Sequence, residues 1–334
     1  MAARKFKKID NRIFCFSLET PFPLGLVNVY FIADSRPTLI DTGPNEESVA
    51  DALQQSLMTV GYHFADIKRI LISHPHIDHF GLAARIKIES GAEVAAMAGA
   101  QPFLRNITKE WDANDQYFKH FLSYCGVPGQ KISTLLAAGR DYVNYGCQVE
   151  LDRPLNDGDR IEFDDFTLRV LHTPGHTMHD ACFESPEHRL LFVGDTLRPR
   201  IAPSILLARP SSPETSRPRI AYMHMKSLKR LMNTTATLAL PGHGEPFENP
   251  REAAEKTLRY HHRRCDDLFA LLNGRARTPY ELALDLSPEL PDFELFLWIS
   301  EVIGYLELLE EQGKVTQEYR DGQIYFFNIS HQTK

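Results

Sequence analysis

The sequence predicts an α/β chain, on three observations. Apolar, β-branched runs of strand length alternate with stretches of 3–4 residue apolar spacing, and short turns join one to the next. Leu26–Ile32 and Thr38–Ile40 read as paired strands around an Asp-Ser-Arg-Pro turn. Residues 46–60 read as a helix, Ile67–Ser73 as a buried strand, Phe80–Glu89 as the helix after it, and Glu93–Met97 as another strand. From about Ala98 to Tyr145 the pattern turns helical, with aromatics at Phe103, Trp111, Tyr117, Phe118, Phe121, Tyr124, Tyr142 and Tyr145. We read this insertion as a helical lid over a pocket; the plainer alternative is that its aromatics fasten it to the body. Asn156-Asp-Gly-Asp159 reads as a hairpin turn. Residues 198–218 carry Pro199, Pro203, Pro210, Pro213 and Pro218, too many for regular structure, so they form a loop and a second pocket wall.

At 334 residues the chain is long for one domain and comfortable for two. No apolar run approaches the length of a membrane span, so none is expected. The basic start, Met1-Ala-Ala-Arg-Lys-Phe-Lys-Lys8, lacks a following apolar stretch and does not read as a secretory signal. Five cysteines, odd in number and without a C-x-x-C pair, point to a reduced compartment, hence the cytoplasm. A net charge of −7 gives no general attraction to phosphate backbones or anionic membranes.

The chemistry concentrates in His74-Pro-His76-Ile-Asp78-His79, which places four candidate metal ligands within six residues between a strand and a helix. Neutral imidazole and carboxylate together suit zinc, manganese or iron. Satisfied surface histidines are the bland reading of this motif, and three of a total of 14 in so short a span speak against it. Further apolar runs each end in a Gly-containing turn with a ligand-type residue: His176 in Thr-Pro-Gly-His-Thr, Asp195 in Val-Gly-Asp-Thr, His243 in Pro-Gly-His-Gly. Asp41 ends an earlier one, in Leu-Ile-Asp-Thr-Gly. Singly, each is an ordinary strand-end turn. Jointly they supply seven ligands, enough for two ions sharing a carboxylate, an arrangement suited to hydrolytic displacement.

These motifs, in this order and spacing, resemble the metallo-β-lactamase superfamily of hydrolases. The resemblance implies that His74, His76 and His176 hold one metal, that Asp78, His79 and His243 hold the second, and that Asp195 bridges them. Asp41 matches a position that supports the site without ligating. The implied fold is a four-layer αββα sandwich, two mixed sheets face to face with helices outside. Many relatives carry Gly-His-Thr-x-Gly-His at the third motif. Here Asp180 stands at the place of the second histidine, with His179 one residue earlier. Both, and His172, are expected to be structural as readily as catalytic.

A boundary is expected near Glu248-Asn-Pro250, giving a catalytic domain at 1–250, with 98–145 inserted, and a second domain at 251–334. Residues 251–273, a segment opened by Arg277-Thr-Pro279, and 292–311 read as helices, and Lys314–Phe327 as a hairpin turned by Asp321-Gly322. Three helices and a hairpin make a winged-helix pattern. With Tyr260-His-His-Arg-Arg264 and the turn at 277–282, this resembles superfamily members with a C-terminal winged helix, among them a lactamase-like endoribonuclease. The charges oppose groove binding: ten lysines and arginines stand against fifteen aspartates and glutamates after Pro250. The third helix carries Glu294, Glu301, Glu307, Glu310 and Glu311 without a basic residue, and Phe293, Phe296, Leu297, Ile299, Ile303, Leu306 and Leu309 along its apolar side. Packing onto the catalytic domain or a second copy, as a homodimer, is the expected role, with no duplex DNA and no membrane as partner.

The expected function is a hydrolase in which two divalent ions, zinc first and manganese or iron as alternatives, share a bridging hydroxide. Asp78 and Asp195 are the candidates to orient or deprotonate the water. A small-molecule thioester or ester is the leading substrate. A single-stranded RNA endonuclease is the rival, favoured if Arg198, Arg200, Arg209, Arg217 and Arg219 line a basic groove; lactone hydrolysis is a third reading. A non-catalytic scaffold would require missing ligands, and none is missing. A redox role would require an acidic residue at position 76.

Overall fold

The structure is a computed structural model that describes residues 5–22, 25–199, 202–212, 214–272, 274–289, 291 and 294–329. Two sheets dominate it. The first runs in chain order: β1 (Lys5–Lys8), β2 (Ile13–Leu18), β3 (Val27–Ile32), β4 (Thr38–Ile40), β5 (Arg69–Leu71), β6 (Glu93–Met97) and β7 (Arg153–Leu155). Its first four strands pair antiparallel, and β4 to β7 pair parallel. The second comprises β8 (Arg160–Glu162), β9 (Thr167–His172), β10 (Ala181–Ser185), β11 (Leu190–Gly194), β12 (Leu238–Pro241) and β13 (Phe247–Glu248), antiparallel except where β11 meets β12.

Strand side chains alternate between faces, and here both faces are buried. Tyr30, Ile32, Ile40 and Leu71 of the first sheet share one core with Leu168, Val170, Phe183 and Phe192 of the second. The opposite face of the first sheet, through Val29, Phe31, Leu39 and Ile70, packs under α1 (Glu47–Thr59) and α3 (Ala83–Ser90), which offer Leu53, Leu57 and Ile86. The opposite face of the second, through Leu171, Leu191 and Val193, packs under α7 (Ile220–Leu231). The layers are therefore helix, sheet, sheet, helix. Between α1 and α3 lies the one-turn α2 (Ile77–Phe80), with His76 as its N-cap.

One expected element is corrected. The Asn156–Asp159 turn does not join a hairpin: β7 pairs with β6 in one sheet and β8 with β9 in the other. Gly158 takes φ 84° and donates to the Val170 carbonyl, which carries the chain from the first sheet to the second. Turn chemistry is local and cannot report which strand each flank will choose.

The helical stretch holds α4 (Gln101–Arg105), α5 (Ile107–Tyr124) and α6 (Gly129–Arg140). Its aromatics divide. Phe118 of α5 meets Phe296 edge-on at 4.9 Å, and Tyr117 and Phe121 flank it, all against the C-terminal helices. Tyr142 and Tyr145 instead stand edge-on to Phe22.

The C-terminal part comprises α8 (Pro250–Leu271), α9 (Pro279–Leu286), α10 (Leu295–Glu311) and the hairpin β14 (Val315–Arg320) with β15 (Gln323–Asn328). Thr278 and Glu281 form a capping box that starts α9, with Pro279 in its first turn. Ile299, Val302, Ile303, Leu306 and Leu309 of α10 share one core with Leu197, Ile205, Leu207, Ile220 and Leu228. The chain itself thus covers the apolar side of α10, and no second copy is needed for that. Phe293 lies outside the described residues. The acidic side is matched as well: Glu307 pairs with Arg217, and Glu310 and Glu311 approach Arg219.

Glu301 has no such partner among the described residues, and burial pushes its carboxyl up to about 7, against the pull of Arg264. A raised acid binds its proton more tightly folded than unfolded, so its neutral form favours the fold fully below about pH 4.5. That advantage is lost as pH rises through 7. Glu301→Gln should therefore raise stability at pH 8 by about 1–2 kcal/mol and change little at pH 4.5. Urea midpoints at the two pH values check this; an equal shift at both would refute it.

Candidate metal centre

Asp41, His74, His176, Asp195 and His243 each lie just beyond the carboxyl end of a strand, respectively β4, β5, β9, β11 and β12. The two sheets bring these ends to one edge. There Gly242 approaches so closely that a Cβ on it would stand 2.5 Å from Asp195 Oδ1 and 2.7 Å from His79 Cε1. Only glycine lets the β12 turn pass behind the site.

Three triads of ligand atoms result, each drawn together within 4.8 Å: His74, His76 and His176; Asp78, His79 and His243; and His74, His79 and Asp195. In the first, His76 Nδ1 stands 3.1 Å from His74 Nε2 and 3.0 Å from His176 Nε2. In the second, Asp78 Oδ2 lies 3.2 Å from His243 Nε2 and 3.6 Å from His79 Nε2. Asp195 lies between: Oδ1 is 3.7 Å from His79 Nε2, while Oδ2 is 3.6 Å from His243 Nε2 and 3.8 Å from His176 Nε2. All seven expected residues meet at one place.

Four of the histidines are aimed from behind. His79 Nδ1 contacts Asp41 Oδ2 at 2.8 Å and His74 Nδ1 contacts Ser73 Oγ at 3.0 Å. His176 Nδ1 meets the Ser204 carbonyl at 3.0 Å and His243 Nδ1 meets that of Leu26 at 2.7 Å. A proton on each Nδ1 leaves Nε2 as an unshared electron pair facing the centre, the arrangement a metal ligand requires. Asp41 also accepts from Ser73 N and Ser73 Oγ, so one carboxylate fixes two histidines. It does so at φ 61°, left-handed backbone that a residue with a side chain adopts at a cost.

The electrostatics fit cations. Burial pushes the His74 and His76 imidazoles down, His76 to about 3, and neighbouring histidines add to it, so both stay neutral ligands. Burial pulls the Asp78 and Asp195 carboxyls up, but His79 and His243 outweigh it and both stay ionised. Burial also opposes charge on His79, yet Asp78, Asp41 and Asp195 together raise it to about 10. The carboxylates around His79 thus favour positive charge at the centre. His79 Nε2, Asp195 Oδ1 and His243 Nε2 are buried without a hydrogen-bond partner among the described residues. Orphaned atoms aimed at a common point are what a divalent ion satisfies. The residues present fit metal.

His172 is structural, its Nε2 bonded to the Met178 carbonyl at 2.9 Å. The ring of His179 packs on Gly99 beside Phe103 and belongs to none of the triads. Asp180 accepts from His176 N at 2.9 Å, from Thr177 N at 2.8 Å and from Thr177 Oγ1, and so shapes the turn that presents His176. The carbonyls of Ser204 and Leu26 were invisible in the sequence, because a carbonyl belongs to every residue. Arg198 donates to Asp195 Oδ2 at 2.6 Å, beside the centre. Arg209 pairs with Glu110, so of the expected basic groove only Arg198 faces the site among the described residues, Arg200 lying outside them.

Asp41→Ala should lower metal affinity about 10–100-fold by freeing two histidines to turn. Chelator competition measures it; unchanged affinity would show that Asp41 serves the turn alone.

A profile of the metallo-beta-lactamase superfamily matches residues 22–243. A probable metallo-hydrolase of Bacillus subtilis is 30% identical over 318 residues, spanning 94% of this chain and 97% of its own. An atrochrysone carboxyl ACP thioesterase of Aspergillus fumigatus is 23% identical over 349 residues, covering 98% of this chain and 68% of its own. A metallo-beta-lactamase family protein from Thermus thermophilus superposes with a TM-score of 0.78 at 28% identity, over 96% of this chain and all of its own (100%). With this breadth of likeness added to the clustered ligands, the chain belongs to the metallo-beta-lactamase superfamily and is a hydrolase.

Proposed function

We propose that this protein is a dinuclear metal-dependent hydrolase of small-molecule thioesters or related esters. The observation that carries the reading is the pair of ligand triads flanking Asp195. His74, His76 and His176 would hold one ion, Asp78, His79 and His243 the other, and Asp195 both; zinc is the first choice for so histidine-rich a set. When bound, two such ions lower the pKa of water and polarise the electrophile's oxygen. The chain's own work is to keep His74, His76 and His176 neutral by burial, hold Asp78 and Asp195 ionised to orient the attacking water, and present Arg198 toward the substrate. The likeness to a protein named as a thioesterase supports the substrate class. The RNA reading weakens because Arg209, Arg217 and Arg219 are engaged with Glu110, Glu307, Glu310 and Glu311.

We assign residues 98–145 and 198–218 to substrate choice, as walls of the site. Residues 251–334 are proposed as a winged-helix-like unit that packs rather than binds duplex DNA, in a protein of the cytoplasm. Zinc-reconstituted protein assayed against acyl thioesters, lactones and single-stranded RNA tests the reading. Thioester or ester turnover that chelator abolishes is expected; cleavage of RNA with none of the small esters would overturn it.

A further inference from the structure

Behind the metal cluster stands a second group of buried histidines that the hydrolytic reading does not use. His224 of α7 is wholly buried, and neither ring nitrogen has a partner among the described residues. Its ring presses on the turn that carries His176: a Cβ at Gly175 would lie 2.1 Å from His224 Nδ1. One helical turn on, Ser227 Oγ donates to the Pro174 carbonyl at 2.8 Å. Helix α7 is thus the floor under Pro174-Gly175-His176.

The line continues outward. The His261 ring of α8 stands edge-on to His224, centroids 5.2 Å apart at 82°. His261 Nδ1 and the Tyr305 hydroxyl of α10 are hydrogen-bonded at 2.9 Å. Beside Tyr305, Gly304 lets α10 approach α7, since a Cβ there would stand 2.8 Å from that of Ala221. Burying an imidazole without hydrogen bonds is unfavourable. A leucine would fill most of the same space without that cost, so the ring must be explained by what it touches. What it touches is the backbone one residue before a metal-binding histidine, and a ring held in turn by the C-terminal helices.

We propose that His224 is a positioning residue for His176, and that His261 and Tyr305 pass the seating of the C-terminal helices to the metal centre through it. The proposal rests on His176 being a metal ligand, as argued above. Packed side chains in a contiguous row transmit small displacements because interiors are close-packed and do not absorb them. Tightening or loosening α10 would then change how well the first triad holds its ion.

Full-length protein loaded with cobalt tests this, read by visible absorption, which reports coordination geometry, and by chelator competition. In His224→Ala one of the bound cobalt ions, that of the first triad, should lose about tenfold or more in affinity, with shifted bands, the range seen when support behind a ligand is removed. Tyr305→Phe, which keeps the ring and removes only the hydroxyl, should shift both readouts the same way by a few-fold. His224→Asn, which keeps an atom where Nδ1 meets Gly175, should recover most of the loss. Bands and affinity unchanged in a folded His224→Ala protein would overturn the proposal. Should that variant not fold, an unchanged Tyr305→Phe would overturn it instead. Wild-type protein that binds fewer than two cobalt ions would strike the dinuclear reading. If bands and affinity in the variants still failed to move, the positioning role would fall on its own.

Discussion

Replacing His76 by alanine, or Asp195 by asparagine, should abolish hydrolysis while leaving the fold intact. Each stands where ligand atoms meet: His76 Nδ1 between His74 and His176, Asp195 between the two triads. Losing several kcal/mol of electrostatic stabilisation lowers kcat by about three powers of ten or more. Neither side chain belongs to the three hydrophobic cores. Circular dichroism and urea midpoints of the metal-free proteins should therefore stay near wild type. Elemental analysis carries the decisive reading: two metals per wild-type chain and fewer in either variant. A wild-type protein that holds at most one after reconstitution would sink the dinuclear proposal.

The second large effect concerns residues 251–334. Truncation after Pro250 should give an aggregated or unfolded protein, because the core outside the second sheet is built from both sides of that point. Leu197, Ile205, Leu207, Ile220 and Leu228 would lose the cover of Leu268, Ile299, Val302, Ile303 and Leu306. A fully buried aliphatic side chain contributes about 1.5–3 kcal/mol, and a whole domain keeps only about 5–15 kcal/mol in hand. Uncovering five of them removes most of that margin. Soluble yield and light scattering check it. A truncated protein that stayed soluble, monodisperse and fully active would refute the packing role.

Much of the candidate site was legible because its candidate ligands follow strand ends in short, residue-specific turns. His74 to His79 and the isolated His176, Asp195 and His243 needed only to be brought to one edge, which the sheets do. The helices of the C-terminal part were legible to within a few residues for the same reason, since apolar periodicity is local. What could not be read was pairing across distance. The Asn156–Asp159 turn looks like any hairpin until β7 chooses β6 and β8 chooses β9. The pairing of Glu307, Glu310 and Glu311 with Arg217 and Arg219, some ninety residues away in the chain, left no local signal either. The aromatics of α5 gave equal support to a pocket wall and to packing, and Phe118 against Phe296 is packing.

Asp41 sets backbone strain against buried hydrogen bonding. Its left-handed backbone, φ 61°, would be relaxed by glycine, and such strain costs about 1–3 kcal/mol. Glycine would also leave buried Ser73 N, Ser73 Oγ and His79 Nδ1 without their acceptor, at about 1–3 kcal/mol each. The bonds made by the carboxylate therefore outweigh the strain, and stability as well as the aiming of His74 and His79 holds aspartate there.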